Sequence, residues 1–122
     1  MCGIMGYVGK QEACALILEG LKLLECRGYD SAGIAVGGAG STALIKETGP
    51  VAALANEAAS LYPKGTIGLG HTRCATHGRP SRENAHPQVS GSGRLYLVHN
   101  GIVENATCTS LQSPGEKPCV YE

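Results

Sequence analysis

Cys2 is the residue with the most chemistry open to it. It directly follows Met1, and a small second residue permits removal of that Met, which would leave a thiol and a free α-amine on one residue. A thiolate is a strong nucleophile. An α-amine titrates near ~7.7–8.0, so close to neutrality part of it is unprotonated and can take the thiol proton as a general base. On position alone, burial of a small residue at the start of a strand explains Cys2 better than catalysis, because unpaired cysteine is so often simply buried.

Two other patterns compete for attention. His71, Cys74 and His77 spell H-x2-C-x2-H, with His86 and His99 further along, and this raises the possibility of zinc. If residues 66–77 are extended, side chains alternate faces and Cys74 points away from both histidines, so the expectation is no metal site. The glycine clusters at 37–40 and 68–70 lack a following Lys-Ser/Thr and make a poor phosphate loop. The six cysteines could in principle form three bridges. Met1 to Lys10 has neither a basic stretch nor an unbroken apolar run of the export type, which predicts a cytoplasmic chain with reduced thiols.

The elements that must position these groups are legible from periodicity. Residues 2–9 place β-formers between glycines, as in a buried strand that something else approaches closely. From Gln11 to Arg27 the apolar residues Cys14, Ile17, Leu18, Leu21 and Leu24 follow the helical period, and Gly28 suits the helix end. Ser31–Val36 and Thr42–Glu47 flank a glycine turn and predict a hairpin. Pro50 opens a second, Ala-rich helix to Leu61. Thr66–Ala75 predicts a strand, residues 77–93 a long polar loop, and Arg94–Val98 another strand. This βαββαββ order favours an α+β layered domain over a doubly wound parallel sheet. Past Asn105 the period is lost, and 106–122 reads as an irregular tail.

Composition narrows the function classes. The 122 residues suffice for one domain at most, and ten basic against ten acidic residues leave a formal charge of zero. No field exists to gather nucleic acid or an anionic membrane. Apolar runs are far below the ~20 residues that span a bilayer. The hydrophobic fraction of 43% supports a core, but without Trp or Phe that core rests on aliphatic residues and five tyrosines.

Four segments taken together, MCGIMGYVG at 1–9, LECRGYDSAGIAV at 24–36, GHTRCATHGRPSRENAHP at 70–87 and VHNGIVEN at 98–105, resemble the glutaminase domain of the class II, N-terminal-nucleophile glutamine amidotransferases. Within that superfamily the Arg27 to Gly33 run is similar to that of the glucosamine-6-phosphate synthases. The resemblance spans about residues 1–105 and implies an αββα sandwich, of which this chain holds about the first half. It implies that Cys2 attacks the side-chain amide of glutamine and releases ammonia, which the full enzyme uses to convert fructose 6-phosphate to glucosamine 6-phosphate. Amide hydrolysis passes through a tetrahedral oxyanion that needs preorganised donors, and the matching donors are the Asn100 side chain and the Gly101 backbone N–H. Without Cys2, Asn-Gly would read as a hairpin turn.

By the same resemblance Arg73 clamps the α-carboxylate of glutamine, a task suited to its planar fork, and Thr76, His77 and His86 line the pocket. For each histidine a hydrogen-bonded loop position accounts for the residue equally well. No cofactor or metal is implied, and the family forms homo-oligomers. The chain departs from the family pattern at Cys74, where the family carries Trp in a loop that closes over glutamine, and at Cys26, where it carries Tyr. The Asp that in the family holds the α-amino group of glutamine, and both sugar-phosphate isomerase domains, are missing from these 122 residues. These departures frame the rival expectation, a truncated, inactive remnant or interaction fragment.

Overall fold

The structure is a computed structural model that describes residues 2–25, 30–38, 40–74 and 79–101. In chain order the elements are β1 (Gly3–Val8), α1 (Ala13–Leu24), β2 (Ser31–Gly38), β3 (Ser41–Thr48), α2 (Val51–Leu61), β4 (Ile67–Arg73), β5 (Gln88–Val89) and β6 (Tyr96–Leu97). The first four long strands form one sheet in the order β1-β4-β2-β3, and β5 and β6 pair separately. Every pairing is antiparallel. The expected elements through β4 and the α+β class are therefore present. The expected polar loop differs: it contains β5, a strand of two residues, too short to carry any periodic signal. The expected helix end at Gly28 and the tail at 106–122 fall outside the described residues.

α1 and α2 cover one face of the main sheet. The buried stripe of α1 is Ala13, Ile17 and Leu21, spaced by four, with Cys14 and Leu18 half-buried beside it. The stripe of α2 is Val51, Leu54 and Ala58. Against them lie Ala32, Ile34 and Val36 of β2 and Ile45 of β3, alternate residues that share a face because the strand period is two. Each fully buried Ile, Leu or Val side chain here contributes roughly 1.5–3 kcal/mol.

Close docking of α1 depends on glycine in β4. A Cβ at Gly70 would overlap the Ile17 side chain and come within 3.0 Å of Leu21, and one at Gly68 would overlap Ile17 again. The 68–70 cluster is thus the groove that admits the helix. α2 opens without a side-chain cap of its own. Instead the Glu25 carboxylate, at the end of α1, accepts the Val51 N–H at 2.7 Å, placing a negative charge at a helix N-terminus, where it is favourable.

The opposite sheet face is covered only in part, by the segment 79–97. Its open portion exposes Ile4, Val8 and Ile67 at 46%, 80% and 52%, which is one layer of helices and one sheet, with β5 and β6 the beginning of a second. The αββα expectation is met to that extent. No helix among the described residues is long and apolar enough to cross a membrane.

Gly70→Val should overpack the helix groove and lower stability by about 1–3 kcal/mol or more, read as a shift in the urea midpoint. Gly6→Val, on a strand position where a Cβ meets only Leu69 at ordinary contact distance, should shift it far less.

Candidate active site

β1 and β4 pair with Gly3 opposite Thr72 and Ile4 opposite His71. One step further in that register Cys2 stands opposite Arg73, so Cys2, His71 and Arg73 fall on the face away from the helices. Two neighbours, Thr72 and Leu24, hold the strand start. The Gly3 N–H donates to Thr72 Oγ1 at 3.1 Å, and a Cβ at Gly3 would lie 2.8 Å from Leu24 Cβ and 2.9 Å from Thr72 Oγ1. Glycine here lets the end of α1 press directly onto the backbone that carries Cys2.

The Cys2 sulfur lies against the main chain of Cys74. The Cys74 N–H donates to Sγ at 3.4 Å, and the thiol can in turn donate to the Cys74 carbonyl at 3.8 Å. Asn100 reaches the same residue from 98 positions away, its Nδ2 donating to the Cys2 carbonyl at 3.5 Å. Gly101 packs on the His99 ring, where a Cβ would lie 3.0 Å from Cε1 and Nε2. The fold thus gathers Cys2, Arg73 and the Asn-Gly pair from three separate segments. Thr76 and His77 lie outside the described residues.

Arg73 is only 8% exposed, and its Nη1 donates to the Arg79 carbonyl at 3.3 Å, tying the β4 end to the following segment. That segment crosses the sheet where Gly33 faces His71 in register. A Cβ at Gly33 would overlap the His86 carbonyl, so Gly33 lets the chain lie directly on the sheet. Arg82 pairs with Glu47 through two hydrogen bonds, and Asn84 Nδ2 donates to the Arg79 carbonyl at 3.1 Å. His86 does not touch Cys2 in any described contact. Its Nδ1 accepts the His99 N–H at 3.3 Å, which fixes the residue preceding Asn100.

Beneath His86 sits His71, 1% exposed, with ring centroids 4.8 Å apart. Neither His71 nitrogen finds a hydrogen-bond partner among the described residues, nor does Ser31 Oγ, and Ser31 lies opposite Arg73 in register. Such orphaned buried polar atoms call for a polar occupant, an ordered water or a ligand. Among the described residues no group of three or more His, Cys, Asp or Glu could hold a metal ion.

No protein-family model matches the chain. Curated relatives do. The chain is 54% identical over 110 residues to glutamine–fructose-6-phosphate aminotransferase (isomerizing) of Listeria innocua, a match over 88% of the chain and 18% of the relative. It is 56% identical over 105 residues to the protein of that name from Staphylococcus epidermidis, over 86% of the chain and 18% of the relative. The chain spans about a fifth of the length of these relatives. Among solved structures, the glutamine phosphoribosylpyrophosphate amidotransferase of B. subtilis superposes with TM-score 0.76 at 30% identity, over 92% of this chain and 24% of that one. A structure described as the allosteric regulatory enzyme of purine biosynthesis gives TM-score 0.78 at 30% identity with the same coverage. The fold is that of the N-terminal-nucleophile glutamine amidotransferases.

Sequence reasoning for this amidotransferase domain missed two residues. Thr72, the acceptor that anchors Gly3, has no motif of its own. His71 was weighed only as a metal ligand; its place in the interior of a strand, facing a second histidine, was the available signal. Burial, then the neighbouring His86, Arg73 and His99, lower its pKa from 6.5 to about 4. Burial and the Lys46 ammonium also lower that of His86, against a backbone hydrogen bond at Leu97 that raises it.

A depressed histidine pKa means that the unfolded chain binds more protons between pH 6.5 and 4. The contribution of His71 is thus fully present above pH 6.5 and lost as pH falls to about 4. Between pH 7 and 5 it should cost about 2 kcal/mol of stability. Urea unfolding at the two pH values checks this: His71→Gln should flatten the dependence, leaving the smaller share due to His86.

Proposed function

We propose that this domain hydrolyses the side-chain amide of glutamine with Cys2 as the nucleophile. The observation that carries the proposal is the convergence of the Cys2 thiol, the β4-end arginine and the Asn100 amide on one sheet face of an amidotransferase fold. The orphaned Ser31 and His71 atoms on the same face support a polar occupant.

With Met1 removed, the α-amine takes the thiol proton and Sγ attacks the amide carbon. The tetrahedral oxyanion is then stabilised by donors from Asn100 Nδ2 and the Gly101 N–H. The proton on the ammonium passes to the leaving nitrogen, ammonia departs, and water resolves the γ-glutamyl thioester to glutamate. Arg73 holds the α-carboxylate, and the family resemblance assigns Thr76 and His77 to binding of the same glutamine. His86 acts at one remove, through the His99 N–H that its Nδ1 accepts, and so positions Asn100 rather than touching substrate.

In the whole protein, ammonia passes to fructose 6-phosphate, as the names of the relatives indicate. A cytoplasmic, homo-oligomeric enzyme fits that role, and no cofactor is required for amide hydrolysis by a thiol.

A glutamine-like electrophile such as a diazoketone analogue should modify Cys2 alone, as read by peptide mass mapping. Cys2→Ala or retention of Met1 should abolish the modification. Labelling spread evenly over the six cysteines, or no binding heat with glutamine or glutamate, would instead support an inactive remnant. Arg73→Lys keeps the charge but loses the fork, and should weaken glutamine binding about 10- to 100-fold, seen as a higher KM with a smaller change in kcat.

A further inference from the structure

We propose that Cys2 and Cys74 form a thiol–disulfide exchange site, which small disulfides such as glutathione disulfide convert to an internal Cys2–Cys74 bond. The position at 74 makes this peculiar to the chain, since the resemblance implies Trp there. Both cysteines are free and half-buried. The Cys2 sulfur already rests on the main chain of Cys74, 3.4 Å from its nitrogen and 3.8 Å from its oxygen. The Cys74 Cβ is two bonds from that nitrogen, and Cys74 lies just past Arg73, the last residue of β4, so the bond requires its side chain to turn onto the face that carries Cys2.

The anchoring of Gly3 on Thr72 and Leu24 keeps the two backbones together, and proximity of this kind favours the internal bond over a second mixed disulfide. Cys14, the other free cysteine among the described residues, is a poor competitor. It packs against the core from α1, where burial, with Glu12 nearby, raises its pKa and keeps it in the unreactive thiol form.

The chemistry balances in two displacements. The Cys2 thiolate attacks one sulfur of the disulfide RSSR and expels a thiolate RS⁻, giving a Cys2–S–S–R mixed disulfide. The Cys74 thiolate then attacks Cys2 Sγ and expels the second RS⁻. The two released thiolates take up the two protons that the protein thiols lost. The protein dithiol is oxidised by two electrons and RSSR is reduced to two RSH. If Cys2 is the glutaminase nucleophile, as proposed above, the bond silences it until a thiol reduces it.

The test equilibrates the 122-residue chain in buffers of varied glutathione to glutathione disulfide ratio, quenches it with acid and maps the peptides without reduction. The expected result is a linked peptide pair carrying Cys2 and Cys74. In Cys74→Ser and Cys74→Ala it should disappear, leaving Cys2 glutathionylated instead. Modification of Cys2 by the glutamine-like electrophile should fall in direct proportion to the linked fraction and return on reduction. Cys2 joined to other cysteines as often as to Cys74 would overturn the inference, as would a stable glutathione adduct on Cys2 with Cys74 intact. If the linked pair forms but the reduced chain never reacts with the electrophile, the exchange site stands and the proposed glutaminase function fails.

Discussion

The pairing of β1 with β4 is the constraint on which the rest depends. Cys2 has no helix or turn of its own to hold it; its position comes from Gly3, whose N–H is taken by Thr72 and whose bare Cα is covered by Leu24. Through that one contact the end of α1, the end of β4 and the start of the chain meet. Because the register places Cys2 one step past the Gly3–Thr72 pair, a slip by one residue would turn the sulfur to the helix-covered face.

The two faces of the sheet divide the work. The helix face is apolar and closely packed, with the β4 glycines admitting α1. The other face holds the polar and titratable groups: Ser31, His71, Arg73 and, above them, His86. Burying the His71 imidazole without a partner among the described residues costs stability. The fold tolerates this on the face where the thiol and the Asn-Gly pair converge, which is where unspent polar capacity is of use to a ligand.

Much of this was legible in residue order. The α1 stripe at 17 and 21, the β2–β3 hairpin and the proline start of α2 follow from local periodicity and turn chemistry, and the structure places them as expected. The motif segments pointed to Cys2, Arg73 and Asn100 as members of one site; the structure sets the Asn100 amide against the Cys2 carbonyl and Arg73 at the neighbouring end of β4. What escaped was non-local. Glu25 capping a helix that begins 26 residues later and the tilted contact of His71 with His86 leave no periodic trace, because each depends on a partner well along the chain, and β5 is too short to leave one.

The sequence by itself determined the class of fold, the order of the long elements and the nucleophile candidate, since these rest on short-range spacing and on residue types that few other sites combine. Only the tertiary structure decided what each of these residues faces. It set Cys74 against the Cys2 sulfur, His86 against the residue before Asn100, and His71 buried beneath it. Those outcomes come from strand register and from glycine positions that let one segment lie directly on another, and register is settled by the whole sheet at once rather than by any stretch of residues within it.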